Sequence, residues 1–175
     1  ADACELSGFE LAHFPDSFLR EIERHFRASV IRLTNPLDLG DLFDLDVYAQ
    51  IIEGTLQLPE VDGVVFLHTS ISEAENLHSR KLLDRIIELA ARYDKPVAYY
   101  ISTSTAEVNY LKQSYNFPVF TQVVETVRAL EMSHYYHQRR QALTLNGQDR
   151  TTHGDTARVR ALIAQAHGEG RDLYL

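Results

Sequence analysis

Two short apolar segments, DGVVFLHTS at residues 62–70 and KPVAYYISTS at residues 95–104, decide the fold. Their apolar residues are β-branched or aromatic, and they follow one another without alternating with polar residues. A run of this kind is typical of a strand that is covered on both faces in a parallel sheet. FPVF at residues 117–120 is a shorter segment of the same type, and GFELAHF at residues 8–14 is a weaker one. SVIRL at residues 29–33 is compatible with a short extended piece.

Helical patterns lie between these segments. Residues 48–56, 73–93 and 123–140 carry apolar side chains at helical spacing. Ser72-x-x-Glu75 and Ser104-x-x-Glu107 have the spacing of capping boxes at the starts of helices. Strands and helices in alternation predict right-handed βαβ units, and therefore an α/β doubly wound three-layer sandwich with a mostly parallel sheet.

The regular pattern lapses after residue 140. Residues 141–154 are polar and rich in turn-forming residues, and a last helical pattern covers residues 156–166. We therefore predict a domain at residues 1–140, followed by a linker and connecting helix at residues 141–175.

Composition limits the classes of partner and the compartment. The 175 residues carry a net charge of -8 at pH 7. Nucleic acids and anionic membranes are bound through clustered Lys and Arg, so this charge argues against either partner. Cys4 is the single cysteine, which excludes an internal disulfide and favours a reducing, cytoplasmic location.

Polar residues follow both of the main predicted strands. Thr69 and Ser70 come after the first, and Ser102 and Thr103 after the second. Ligands of open α/β sheets bind at this carboxyl edge. One interpretation is that these are loop residues beside helix caps. The other is that they form a polar rim that meets a phosphate or a partner domain.

The acidic segment TNPLDLGDLFDLD, residues 34–46, fits neither the strand nor the helix pattern. The spacing of its four aspartates does not match a calcium-binding loop. We predict instead a turn at Asn35-Pro36, a positive φ angle at Gly40, and a helix cap at Asp44 or Asp46.

The histidines do not indicate a metal site either. His134 and His137 lie three positions apart on one predicted helix, but no further ligand follows at a familiar metal spacing. No metal site is predicted.

Several motifs occur in an order that resembles one family. They are Asn35-Pro36-Leu37-Asp38-Leu39, Tyr48, Val61-Asp62, Lys95-Pro96-Val97, Pro118-Val119-Phe120 and Thr126-Val127-Arg128-Ala129-Leu130. Together they resemble the second succinyl-CoA-ligase-like flavodoxin domain of NDP-forming acyl-CoA synthetases, a family that includes acetate–CoA ligases and related protein lysine acetyltransferases. The tail at residues 157–175 resembles the helical linker that precedes the family's ATP-grasp domain.

The resemblance implies a flavodoxin-like fold whose first strand and Gly-Gly turn would precede Ala1. Residues 1–7 would then be only the body of a phosphate-facing helix. It also implies which strand-end residues face the path of a phosphate: Asn35, Asp38, Gly40, Thr69, Ser70, Ser102 and Thr103.

The family reaction converts an acyl-CoA, a nucleoside diphosphate and phosphate into an acid, CoA and a nucleoside triphosphate, through a phosphohistidine on another domain. The resemblance therefore implies CoA, nucleotide, phosphate and Mg for the parent enzyme and no cofactor in this chain. It implies CoA-binding and ATP-grasp domains as partners, and a homodimer is compatible with it. We expect the isolated chain to be inactive. The alternative is a binding, assembly or regulatory module of the same fold without ligase chemistry, including part of a protein acetyltransferase.

Overall fold

The computed structural model describes residues 1–26, 33–40, 42, 44–146 and 156–169. Within these ranges three strands form one parallel sheet in the order β1-β2-β3. The strands are β1 (Val64–Thr69), β2 (Val97–Ser102) and β3 (Val119–Phe120). Their register places Val64 beside Val97, and Tyr99 beside Val119. The three strongest strand predictions are therefore confirmed, and so is the α/β class.

Seven helices lie within the described residues. They are α1 (Asp2–Leu6), α2 (Asp16–Glu23), α3 (Leu45–Gln57), α4 (Glu73–Tyr93), α5 (Thr105–Ser114), α6 (Val123–Asn146) and α7 (Thr156–Gly168). Parallel neighbours cannot be joined by a tight turn, so the chain returns through α4 between β1 and β2, and through α5 between β2 and β3.

The main core lies against one face of the sheet. It is formed by buried residues of α3, the three strands, α4 and α5: Ile52, Leu56, Phe66, Leu82, Leu83, Ile86, Leu89, Val97, Tyr99, Ile101, Leu111 and Val119. On the strands these are every second residue, because alternate side chains point to the same face. On the other face of the edge strand β1, Leu67 is 53% exposed.

A second cluster packs α2 and the acidic segment against α3. Its buried residues are Ile22, Leu42, Val47 and Ile51, with Leu37 and Leu39 packed beside them. The leucines of the acidic segment therefore anchor it. Gly54 permits the contact between α2 and α3, because an added Cβ would lie 2.7 Å from Cε2 of Phe18.

Some sequence predictions are wrong. Residues 8–14 do not form a strand. Gly8 has a φ of 76°, which is not an extended conformation. The carbonyl of Ala12 accepts a hydrogen bond from Nδ2 of Asn35 at 2.9 Å, so this carbonyl is bound by a side chain and not by a neighbouring strand. Most of the segment predicted as extended at 29–33 lies outside the described residues.

The predicted linker begins too early. Residues 141–146 continue α6 instead of forming a turn-rich linker. Ala142 and Leu143 are good helix formers, and no Gly or Pro interrupts the chain before Gly147. The last helix ends at Gly168, two residues beyond its predicted end. By its contacts the chain divides into compact units at residues 1–135 and 136–175.

Within the described residues, no helix combines the length and the apolar character that crossing a membrane requires.

Tyr99 places a polar group in the main core. Its side chain is 0% exposed, its ring stacks on Phe66 and His68, and its hydroxyl has no hydrogen-bond partner. Burial raises the pKa of this hydroxyl, so it stays protonated. A buried hydroxyl without a partner lowers stability, because it loses its hydrogen bonds to water.

We expect Tyr99→Phe to increase the free energy of unfolding by about 1 kcal/mol, since it removes an unpaired buried group and keeps the ring. Urea denaturation measures the change. Tyr100→Phe is the control, because Tyr100 is only half-buried and points to the other face, and it should change stability little. A clear loss of stability in Tyr99→Phe would mean that the hydroxyl has a partner.

Candidate functional site: the carboxyl edge of the sheet

Three connections meet at one edge of the sheet. Because β1, β2 and β3 are parallel, the turns that lead into α4, α5 and α6 all leave from their carboxyl ends. The backbone N–H of Ser70 donates to the carbonyl of Ser102 at 3.0 Å, which extends the pairing of β1 and β2 beyond the strands. This edge is the candidate site.

Asn76 joins the first two connections. Its Oδ1 accepts a hydrogen bond from Oγ of Ser70 at 2.6 Å and another from Oγ1 of Thr103 at 3.1 Å. Ser70 is fully buried. Two of the four hydroxyls of the predicted rim, those of Ser70 and Thr103, are therefore used inside the protein, and they fix the orientation of the Asn76 amide. Thr69 and Ser102 are exposed.

Serine side chains cap the starts of α4 and α5 at this edge. Oγ of Ser72 accepts from the N–H of Glu75 at 3.2 Å. Oε2 of Glu75 accepts from the N–H groups of Ile71 at 2.6 Å and of Ser72 at 3.2 Å. The bond from Ile71 is the main reason that the pKa of Glu75 is lowered. This carboxylate holds backbone donors that would otherwise be free to bind an anion. The predicted capping box at Ser72 is confirmed.

The predicted capping box at Ser104 is only half right. Oγ of Ser104 accepts from the N–H of Glu107 at 3.2 Å, but the Glu107 carboxylate turns away. It receives two hydrogen bonds from Arg80, one of them from Nε at 2.8 Å. The Arg80 guanidinium also lies 3.7 Å from the centroid of the Tyr110 ring. The bond to Glu107 raises the pKa of Arg80, so the guanidinium stays charged, and its hydrogen bonds tie α4 to α5.

His68 lies below these turns, on the buried face of β1. Its Nε2 is 2.7 Å from Oγ of Ser79. That hydroxyl donates to the carbonyl of Glu75 at 2.8 Å, so its proton is engaged and Nε2–H of His68 is the donor to Ser79. The ring stacks on Phe66. Burial lowers the pKa of His68, and the charge of Glu75 opposes that effect in part.

The acidic segment contributes a separate group of contacts. Oδ1 of Asp38 accepts from the N–H of Gly40 at 2.9 Å, and Gly40 has the predicted positive φ, 48°. Asp44 caps α3 by accepting from the N–H of Asp46 at 2.9 Å, which confirms that prediction. The hydroxyl of Tyr48 donates to the carbonyl of Leu42, and burial raises its pKa.

Two groups of predicted site residues thus have different surroundings. Thr69, Ser70, Ser102 and Thr103 lie together at the ends of β1 and β2. The hydrogen bonds of Asn35 and Asp38 shape the acidic segment and hold it to residues 8–14. The sequence reading missed Asn76 and Arg80. Asn in the first turn and a half of a helix is a weak signal, because its side chain often bonds to nearby loop groups.

In the described part of the chain, no three His, Cys, Asp or Glu side chains are close enough to hold a metal ion. The turns at this edge carry hydroxyls, the amides of Asn76 and Gln122, and carboxylates. Such a set can orient and dock another group, and it lacks a cation that would stabilise a phosphate.

No protein-family model, curated protein or solved structure matches this chain.

We expect Asn76→Ala to lower the free energy of unfolding by about 1–3 kcal/mol, because it leaves the buried Ser70 hydroxyl without an acceptor. Asn76→Asp keeps an oxygen at the same place and should cost clearly less. Asn109→Ala, at an exposed position of α5, controls for helix propensity. Equal losses in Asn76→Ala and Asn76→Asp, measured by urea denaturation, would contradict the role of the shared oxygen.

We expect stability to fall as the pH drops below the ordinary pKa of histidine, 6.5. The folded protein keeps His68 neutral to a lower pH than the unfolded chain does, so the unfolded chain binds more protons in that range. The slope from this one group is at most about 1.4 kcal/mol per pH unit.

His68→Gln should flatten this part of the curve of unfolding free energy against pH, because Gln does not titrate and can still donate to Ser79. The lowered pKa of Glu75 acts in a different range, below 4.5, so the two effects separate. His13→Gln, at an exposed position, is the matched control. An unchanged slope in His68→Gln would show that another group causes the dependence.

Proposed function

We propose that this chain is a non-catalytic domain of a protein like the NDP-forming acyl-CoA synthetases, in which it supports the phosphate path and docks the other domains. The proposal starts from the ordered motifs of the sequence. The strand order β1-β2-β3 is the order expected for the last three strands of a flavodoxin-like sheet.

The proposed docking role rests on the hydrogen bonds of the polar groups at the carboxyl edge. The hydroxyls of Ser70 and Thr103 are bound to Asn76. The backbone N–H groups of Ile71, Glu75 and Glu107 are bound to the side chains of Glu75, Ser72 and Ser104. Ile71, between two serines at this edge, is 87% exposed. An edge with satisfied polar groups and exposed apolar side chains is better suited to contact a protein surface than to bind a small anion.

In this proposal the reaction takes place elsewhere. CoA, the nucleotide and Mg bind to other domains, and a phosphohistidine on another domain approaches the turns that contain Thr69, Ser70, Ser102 and Thr103. Asn35, Asp38 and Gly40 shape the neighbouring segment. In this proposal the domain positions the other domains through the carboxyl edge of its parallel sheet.

A second candidate is a binding or assembly module without ligase chemistry, including part of a protein acetyltransferase. The charge of the edge favours it over a direct role in holding phosphate. Residues 69–76, 102–106 and 121–125 contain three glutamates and no Lys or Arg. The two candidates share the docking role and differ in what the attached domains do.

We expect the isolated chain to show no thermal stabilisation by CoA or by Mg-ATP and no formation of acyl-CoA from acid, CoA and ATP, because the groups that bind these compounds belong to other domains. Differential scanning fluorimetry measures the first effect, and loss of the free CoA thiol measures the second. A rise in melting temperature with either compound, saturable at millimolar concentration or below, would contradict the proposal.

A further inference from the structure

β1 is an outer strand of the sheet, because within the described residues it pairs with β2 alone. The N–H of Val64 donates to the carbonyl of Pro96 at 2.9 Å, and the N–H of Ser70 donates to the carbonyl of Ser102 at 3.0 Å. The backbone groups of successive residues point to opposite sides of a strand. The even-numbered residues of β1 therefore turn their N–H and carbonyl groups towards β2.

Three residues of β1 turn their backbone groups away from β2: Val65, Leu67 and Thr69. In the described part of the chain, no backbone hydrogen bond reaches these N–H and carbonyl groups. The side chains of the same residues lie on the face opposite to the main core, where Leu67 is 53% exposed. We call these backbone groups, together with the Leu67 side chain, the open side of β1.

The sequence of β1 is typical of a strand inside a sheet. Outer strands usually carry charged residues, proline or a bulge, which prevent pairing with another chain. Residues 64–69, VVFLHT, contain no Lys, Arg, Asp, Glu or Pro, and their register with β2 is continuous. His68 is buried on the core face. Both faces of β1 are largely apolar, as they are in strands that have a neighbour on each side.

The geometry of the open side limits what can bind there. Its donors and acceptors recur at every second residue, about 6.6 Å apart, along one line. An extended backbone has the same repeat and can pair with all of them. A helix cannot, because its own turns already use its backbone groups. The occupant is therefore a strand, and β1 offers no charge that could pair with a charge on it.

We propose that the open side of β1 accepts an uncharged, extended segment of another polypeptide, which becomes the neighbour of β1 in the sheet. The backbone of this segment pairs with Val65, Leu67 and Thr69, and one of its apolar side chains packs against Leu67. The inference goes beyond the proposed function, because it concerns the side of the sheet and not its carboxyl edge.

Amide hydrogen exchange of the whole chain, followed for each residue by nuclear magnetic resonance, tests the inference. In the chain alone, we expect slow exchange for Val64 and Phe66, which face β2, and fast exchange for Val65, Leu67 and Thr69. The probe is a peptide of six alternating threonines and valines, with a lysine at each end for solubility. At ten times its Kd, it should slow the three open amides about tenfold, because the free fraction of the protein falls by that factor.

Two control peptides separate backbone pairing from apolar contact. In the first, proline replaces a central valine, which removes a donor and interrupts the ladder of hydrogen bonds. In the second, serine replaces every valine and removes the apolar side chains. At the same concentration, each should slow the open amides by less than about twofold.

A matched pair of variants locates the contact. Leu67→Lys places a charge in the middle of the open side, as outer strands of other proteins do, and it should weaken binding of the probe by about tenfold or more. Leu77→Lys makes the same change at a residue of α4 that is 54% exposed, nearly the same as Leu67, and it should leave the Kd within about twofold. Circular dichroism confirms that each variant is folded.

Each other result overturns the inference in a distinct way. Slow exchange of Val65, Leu67 and Thr69 in the dilute chain alone would show that the open side is already covered. Protection that rises with protein concentration, together with a dimer in sedimentation, would assign the open side to a second copy of the chain. No protection by the probe, or equal binding to Leu67→Lys and to the unchanged chain, would reject the open side as a binding site. Binding of CoA or Mg-ATP tests the proposed function separately, since it does not involve this side of β1.

Discussion

Parallel pairing of β1 with β2 is the constraint from which the rest of this structure follows. Two parallel neighbours cannot be joined by a hairpin, so the chain must cross back over the sheet between them, and α4 supplies that crossing. The same requirement between β2 and β3 is met by α5. As a result, the starts of α4, α5 and α6 are collected at one edge. The candidate site of the first compact unit lies at that edge.

At this edge several polar groups of the turns are bound by side chains of the same chain. Backbone donors at the start of α4 bind the chain's own Glu75, and the hydroxyls of Ser70 and Thr103 share one oxygen of Asn76. Edges that bind phosphate leave such donors free and add a cation. Here the acidic side chain plays the part that a bound anion would play, and Ile71 is left projecting into solvent.

Local signals in the sequence predicted local structure well. The apolar runs of β1 and β2 are continuous, and Ser72 with Glu75 marks the start of α4, so these features were predicted close to their observed bounds. The segment at 8–14 resembled a strand by composition, but a strand also needs a partner, and the side chain of Asn35 bonds to this segment instead. The polar composition after Arg140 predicts a turn-rich linker, but residues 141–146 favour a helix and continue α6.

Contacts between residues that are distant in the chain could not be predicted from the sequence. Glu107 has the correct spacing for a capping box, yet its carboxylate accepts two hydrogen bonds from Arg80, 27 positions earlier, because a charged guanidinium is a stronger donor than a backbone N–H. Nothing in a single sequence pairs Asn76 with Thr103. The rim hydroxyls were found from their position after the strands, while the residue that organises them was not.

The two links between α4 and α5 have a mechanical consequence. Asn76 connects α4 to the turn before α5, and Arg80, one helical turn further along, connects it to α5 itself. Four residues of helix separate these points by about 6 Å. A single link would act as a pivot, whereas two links at different heights resist twisting of one strand–helix pair against the other. A force that displaces β1 and α4 is therefore transmitted to β2 and α5 through both links.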